Sequence, residues 1–118
     1  TEDTRPLIIG NGDIETPNQG RIKISESGCD GIMIGRGIFG NPWLFAEHSP
    51  TEQERMKVLI EHITLYDQLF TGVKHYDVMK RHFKAYLHGS PEAADLRTKL
   101  YETKSCQEAL EILTNYQK

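Results

Sequence analysis

Gly31-Ile32-Met33-Ile34-Gly35-Arg36-Gly37 decides the fold of this chain. A short, uniformly apolar run closed by glycines reads as a strand buried on both faces, which is the setting of a parallel sheet. The same form stands upstream in Pro6-Leu7-Ile8-Ile9-Gly10, which stops at Asn11-Gly12-Asp13. Between the two runs, Thr16-Pro17-Asn18-Gln19 puts an N-cap residue, a first-turn proline and a glutamine at the spacing of a capping box. The helix it starts is expected to reach about Ser27, weakened by Gly20 and closed by Gly28. Strand, helix and strand make one βαβ unit, and the right-handed crossover rule makes its strands parallel.

Outward from that unit the pattern becomes helical. Gly35 to Gly40 reads as a loop entering a short helical turn, and Asn41-Pro42-Trp43-Leu44-Phe45 sets three large apolar side chains beside a proline. Ser49-Pro50-Thr51-Glu52 is a second capping box and marks a domain boundary, dividing the chain into 1–48 and 49–118. Met56, Leu59, Ile60, Ile63, Tyr66 and Phe70 then build the apolar face of a helix reaching Phe70, with Gly72 behind it. A second helix, from about His75 to His88, is expected to carry Tyr76, Met79, Phe83 and Leu87 on one seam. A third opens at Ser90-Pro91 with Leu96 and Leu100, and a fourth at Ser105 with Ala109, Leu110, Leu113 and Tyr116. The expected architecture is mainly α with one βαβ unit, its helical part a four-helix bundle.

Composition limits what such a chain can be. At 118 residues it is well short of the roughly 250 of a complete (β/α)8 barrel. Its 14 Lys and Arg stand against 17 Asp and Glu, so any surface that meets a polyanion has to be local. Cys29 and Cys106 stand far apart without a CxxC, which excludes a disulfide framework and reads as free thiols in a reducing cytoplasm. No apolar run reaches the roughly 18 residues of a membrane span. The first residue is not methionine and a strand begins almost at once, so the chain reads as cut from something longer.

Asn11-Gly12-Asp13 and Gly35-Arg36-Gly37 fall at the carboxyl ends of the two parallel strands, where α/β folds bind ligands. Glycines there let backbone N–H groups approach an anion, a helix opening after Arg36 would add its positive end, and a guanidinium grips phosphate oxygens in pairs. Together they describe a phosphate cradle. Either motif alone is equally a tight turn after a strand.

An apolar strand ending in Asn-Gly-Asp-Ile, the run Gly-Cys-Asp-Gly-Ile-Met-Ile-Gly-Arg-Gly, and Gly-Asn-Pro-Trp-Leu-Phe together resemble the end of the barrel in the tRNA-dihydrouridine synthase family. The resemblance is strong over residues 6 to 45, and continues more loosely into Met79-Lys80-Arg81-His82-Phe83-Lys84-Ala85-Tyr86-Leu87. It implies the last two βα units of an FMN-containing TIM barrel, which reduces the uridine C5–C6 bond in tRNA with NADPH, followed by a helical domain that holds the tRNA. Carried over residue by residue, it makes Asn11, Gly12, Asp13, Gly35 and Arg36 contacts of the FMN. The family's catalytic cysteine belongs to an earlier part of the barrel. Neither Cys29, at the amino end of the second strand, nor Cys106, opening the last helix, fits its place, so no catalytic residue is assigned and the chain by itself is expected to be inactive. The rival readings are another flavin or sugar-phosphate barrel, sharing the same strand-end phosphate site, and a free-standing helical module that binds RNA or protein.

Residues 74 to 104 hold seven Lys or Arg against four Asp or Glu. On a continuous helix, Arg81 and Lys84 lie well away from the buried seam, with Lys80 nearer its edge. That is either a solvated face or a phosphate-binding stripe, and the resemblance favours the second, with Lys80, Arg81 and Lys84 as RNA contacts. The five histidines form no HxxxH or HxxE set, so no metal site is expected. Trp43 and Phe45 read as packing anchors and the tyrosines as core.

Overall fold

The computed structural model describes residues 4–116, which form two compact units divided between His48 and Ser49. In the first, β1 (Ile9–Gly10) pairs in parallel with β2 (Gly31–Ile32), Ile9 opposite Gly31 and Gly10 opposite Ile32. Both strands are shorter than their apolar runs. Ladder-like bonds extend the pairing by one step each way, the Asp30 N–H donating to the Ile8 carbonyl at 2.8 Å and the Met33 N–H to Gly10 at 2.8 Å. Leu7, Ile8, Ile9 and Met33 are exposed, as two strands without flanking partners must leave them.

Between the strands runs α1 (Pro17–Ser27), capped by Thr16, whose hydroxyl accepts from the Gln19 N–H at 3.1 Å. The Gln19 amide oxygen reaches one residue further back than a standard capping box and accepts from the Glu15 N–H at 2.9 Å. Gly28 ends the helix in the left-handed region, at φ 75°. Gly20 is buried, and a Cβ there would stand 2.7 Å from Ile32 Cδ1. The residue that weakens the helix is the one that lets it lie against β2.

The second unit begins with α2 (Glu52–Phe70), opened by a complete capping box between Thr51 and Glu54. Here the structure departs from the expected four-helix bundle. The single helix expected from His75 to His88 is two four-residue helices, α3 (Asp77–Lys80) and α4 (Phe83–Tyr86), separated at Arg81 and His82. The two halves are held by different neighbours. Tyr76 hydrogen-bonds Thr103 at 2.6 Å in the interior, and Lys80 Nζ donates to the Tyr101 carbonyl at 2.9 Å, so the first half follows the chain at 101–103. His82 packs its ring 4.8 Å from His62, and Tyr86 OH meets His62 Nδ1 at 3.0 Å, so the second half follows α2. Tertiary anchors override the local preference for one straight helix.

Two further helices, α5 (Pro91–Tyr101) and α6 (Cys106–Tyr116), complete the unit. Met56, Leu59, Ile63, Met79, Phe83, Leu87, Leu96, Leu100, Ala109 and Leu113 form its buried core. The seam Tyr76–Met79–Phe83–Leu87 is buried throughout despite the break, because each turn returns the next apolar residue to the same side. Tyr101 and Tyr116 are exposed, so only part of the expected tyrosine core exists. Arg55 ties the unit together, donating to the carbonyls of Pro50 at 3.1 Å, Tyr86 at 3.0 Å and His88 at 3.1 Å. Among the described residues no helix is long and apolar enough to cross a membrane, and no group of three potential ligands could hold a metal ion.

Candidate functional site

In the first unit the chain turns sharply after each strand, and the two turns face one another. After β1, Gly12 adopts φ 156° and Asp13 φ 49°, the second a left-handed conformation that aspartate tolerates through its short polar side chain. After β2, Gly35 leads into one 3-10 turn, Arg36–Ile38. This is the short helical turn expected there, but it is too short to present the positive helix end expected after Arg36. Three residues are too few for peptide dipoles to sum, so any anion here depends on backbone N–H groups and the guanidinium rather than on a helix end. A Cβ on Gly37 would come within 3.0 Å of Glu15 Cα, the Ile14 carbonyl and Ile34 Cγ2, so the second glycine of the motif is what lets the two turns approach.

The result is an open cavity of about 700 Å³ lined by Asn11, Gly12, Asp13, Ile14, Glu15, Gly35, Arg36 and Gly37. All five residues expected to contact a phosphate line this one cavity. Glu15 and Gly37 line it too, and sequence reasoning passed over both as contacts. Gly37 was legible as the partner glycine of the Gly-Arg-Gly turn, whereas nothing in the sequence singles out Glu15. Across the mouth, Arg36 Nη2 is ion-paired with Asp13 Oδ1, and the two side chains remain 83% and 79% exposed. The glycine-lined wall and the exposed guanidinium fit the phosphate end of a nucleotide-like cofactor. Ile14 is the one aliphatic side chain among the lining residues, and no aromatic residue is among them.

The supports of the site lie at its back. Asp30, just before β2, accepts from the Ile8 N–H at 2.8 Å and pairs with Arg5 at 2.9 Å. The Ile8 N–H bond, with Arg5 second, holds the Asp30 carboxyl below the usual carboxylate range. Cys29 is half-buried beside it, its thiol 3.3 Å from the Gly31 carbonyl that it bonds. Further along, Leu44 is buried and Trp43 half-buried against the edge of His48, whereas Phe45 is exposed.

The basic residues of the second unit do not share one environment. Lys80 donates to the Tyr101 carbonyl, pairs with Asp77 at 3.0 Å and lies 5.6 Å from the Tyr76 ring centroid. Arg81 and Lys84 are exposed, with no ion pair among the described residues. Arg97 is committed to the Leu87 carbonyl at 2.9 Å, and Lys74 lies over the Phe70 ring. Nearby, burial pulls the His62 imidazole below its ordinary range, and burial, then His62, then Arg81 do the same to His82. Burial pushes the Tyr86 phenol up, and the Cys106 thiol with it.

Comparison with known proteins bears on both units at once. The sequence profile described as dihydrouridine synthase (Dus) matches residues 2–118. A probable tRNA-dihydrouridine synthase of Staphylococcus epidermidis is 37% identical over 115 residues, covering 94% of this chain and 35% of that protein. A probable tRNA-dihydrouridine synthase of Mycobacterium tuberculosis is 37% identical over 112 residues, covering 86% of this chain and 29% of its own length. Probable tRNA-dihydrouridine synthase 2 of Bacillus subtilis is 37% identical over 116 residues, covering 95% and 35%. The chain thus spans about a third of the length of the curated relatives it matches.

Proposed function

This chain belongs to the dihydrouridine synthase family, and from that membership we propose that it is a section of a tRNA-dihydrouridine synthase. Residues 1–48 are read as the last two βα units of an FMN-binding (β/α)8 barrel, and 49–118 as a helical domain that holds tRNA in the cytoplasm. The observation that carries the reading is the convergence of Asn11, Gly12, Asp13, Gly35 and Arg36 on one cavity, at the carboxyl ends of two parallel strands. The exposed apolar side chains of Leu7, Ile9 and Met33 support it, since further strands of a barrel would cover them.

In this reading Arg36 offers its paired donors to the FMN phosphate. Gly12, Gly35 and Gly37 keep side chains out of the space the phosphate oxygens need. The chemistry such a flavin supplies is two-electron reduction, carrying hydride from NADPH to the uridine C5–C6 bond. Proton donation and enclosure of the ring fall to parts of the longer protein. Arg81 and Lys84, both exposed, meet tRNA phosphates, and Lys80 stands beside them.

One experiment tests the reading. The longer protein, its Arg36→Ala variant and the 118-residue chain are purified, and bound flavin and dihydrouridine formed from unmodified tRNA with NADPH are measured. Hydrogen bonds to a charged group are worth about 1.5–3 kcal/mol, so the variant is expected to hold FMN roughly 10- to 100-fold more weakly. The short chain is expected to retain little flavin and form no dihydrouridine. Undiminished flavin in Arg36→Ala, or product from the short chain, refutes the assignment.

A further inference from the structure

Apart from the strand-end site, the helical unit has an open cavity of about 430 Å³ where the start of α3 meets the chain at 101–104. Three of its lining side chains are spent on one another. Asp77 pairs with Lys80 at 3.0 Å, and the Asp77 N–H donates to His75 Nδ1 at 3.1 Å. The side chains of Tyr101, Glu102 and Lys104 are exposed, and no hydrogen bond or ion pair among the described residues engages them. Exposure alone is ordinary, but the Tyr101 ring is also held. It is 43% exposed, packs 5.9 Å from the fully buried Phe83, and has its own carbonyl fastened by Lys80 Nζ at 2.9 Å. Thr103, two residues on, is buried and bonded to Tyr76 and to the Leu100 carbonyl. The phenol thus presents a fixed aromatic surface to water, beside a carboxylate and an ammonium.

Those three groups in one cavity match one class of ligand. A held, exposed ring stacks an unpaired base, and stacking by itself accepts any base. The ammonium takes a phosphate as a point charge. The carboxylate repels phosphate and can only accept hydrogen bonds, so its place here calls for a base rich in donors. Guanine sets two N–H donors side by side on its Watson–Crick edge, matching the two oxygens of a carboxylate, whereas the other three bases put an acceptor beside their donor. Resting on the tRNA reading above, we propose that this cavity holds one unpaired guanine nucleotide of the RNA. Its base stacks on Tyr101, Glu102 accepts from the two edge donors, and Lys104 meets the phosphate. Lys80 holds the platform in place without touching the nucleotide.

The test reads backbone amide shifts at Glu102, Thr103 and Lys104 in the nitrogen-15-labelled chain, titrated at constant ionic strength with GMP, IMP and AMP. GMP is expected to bind about tenfold more tightly than AMP, with IMP, which lacks the amino donor, between them. Glu102→Gln is expected to abolish that preference. Tyr101→Ala is expected to weaken all three roughly tenfold, and Tyr101→Phe, which keeps the ring, to leave them unchanged. Should Tyr101→Ala disturb the fold, the Glu102→Gln ratio decides by itself. A uridine-rich single strand carrying one guanosine is expected to reproduce the GMP shifts, and the same strand paired with its complement to produce none. Equal binding of GMP and AMP, or a preference that survives Glu102→Gln, overturns the guanine site, and unmodified tRNA still bound by the same chain then keeps the tRNA reading standing. GMP shifts that the single strand does not reproduce overturn RNA as the source of the nucleotide. A chain that binds neither tRNA nor any of the nucleotides refutes both readings together.

Discussion

Replacing Lys80 and replacing the pair Arg81 and Lys84 should have different effects, because the Lys80 ammonium is bonded to the Tyr101 carbonyl and to Asp77 while the other two reach into water. Arg81→Gln with Lys84→Gln is expected to flatten the slope of log affinity for tRNA against log salt by roughly 0.7–0.9 for each phosphate no longer neutralised, with stability unchanged. Lys80→Gln is expected to cost about 1 kcal/mol of stability and leave that slope nearly intact. Filter binding at several salt concentrations, beside denaturant unfolding of each variant, separates the two. A full slope in the double variant makes Arg81 and Lys84 an ordinary solvated face. From sequence Lys80 differs only in lying nearer the edge of the buried seam, since charge and periodicity are blind to a carbonyl contributed from 21 positions away. Gly20 teaches the same lesson in reverse. Read locally it is a flaw in a helix, and only the neighbouring Ile32 shows what the missing side chain makes room for.

At the scale of elements, the 3.6-residue pattern exposed the core of the helical unit almost completely. Burial of Leu59, Ile63, Phe83, Leu96 and Leu113 is demanded by their spacing whatever packs on them. The break between α3 and α4 was not legible, because no glycine or proline marks it and its cause is a set of contacts with two other elements. The same break brings His62 and His82 together, which makes the unit sensitive to acid. Both imidazoles sit below their ordinary value of 6.5 in the folded chain, so between the folded and unfolded values the unfolded chain binds more protons. Stability is therefore complete above about 6.5 and lost as pH falls, by less than about 1.4 kcal/mol per pH unit for each proton, since both rings keep some contact with water. In His82→Gln the decline of unfolding free energy between neutral and mildly acidic pH is expected to be shallower. A decline as steep as in the unaltered chain would remove the histidine pair as its cause.

Over the whole molecule, two strands of two residues each stand against a helical unit with a continuous interior. Parallel strands without flanking partners leave edges and faces to water, whereas the helices cover one another. Amide exchange is accordingly expected to be slower at Leu59–Ile63 than at Met33, whose N–H is bonded to Gly10 across the sheet. The opposite order would place the more stable part in the first unit. The place of the site was legible because two glycine-rich turns after parallel strands must lie at the same end. Its charge balance was not, because the facing of Asp13 and Arg36 is a property of two loops in space.

Arg55 has a consequence for rates. Its three donors close on carbonyls at Pro50, Tyr86 and His88, joining the entry of α2 to chain 31 and 33 positions further on. Bonds that complete only when distant segments have docked belong after the folding barrier, and removing them speeds unfolding more than it slows refolding. A lysine carries one nitrogen at one point and cannot span three carbonyls. Arg55→Lys is therefore expected to unfold roughly 5- to 30-fold faster in stopped-flow dilution, the kinetic equivalent of about 1–2 kcal/mol, with the refolding limb hardly displaced. If refolding slows by the same factor instead, the clamp is already closed at the barrier, and the helical unit assembles around Arg55 rather than being locked by it.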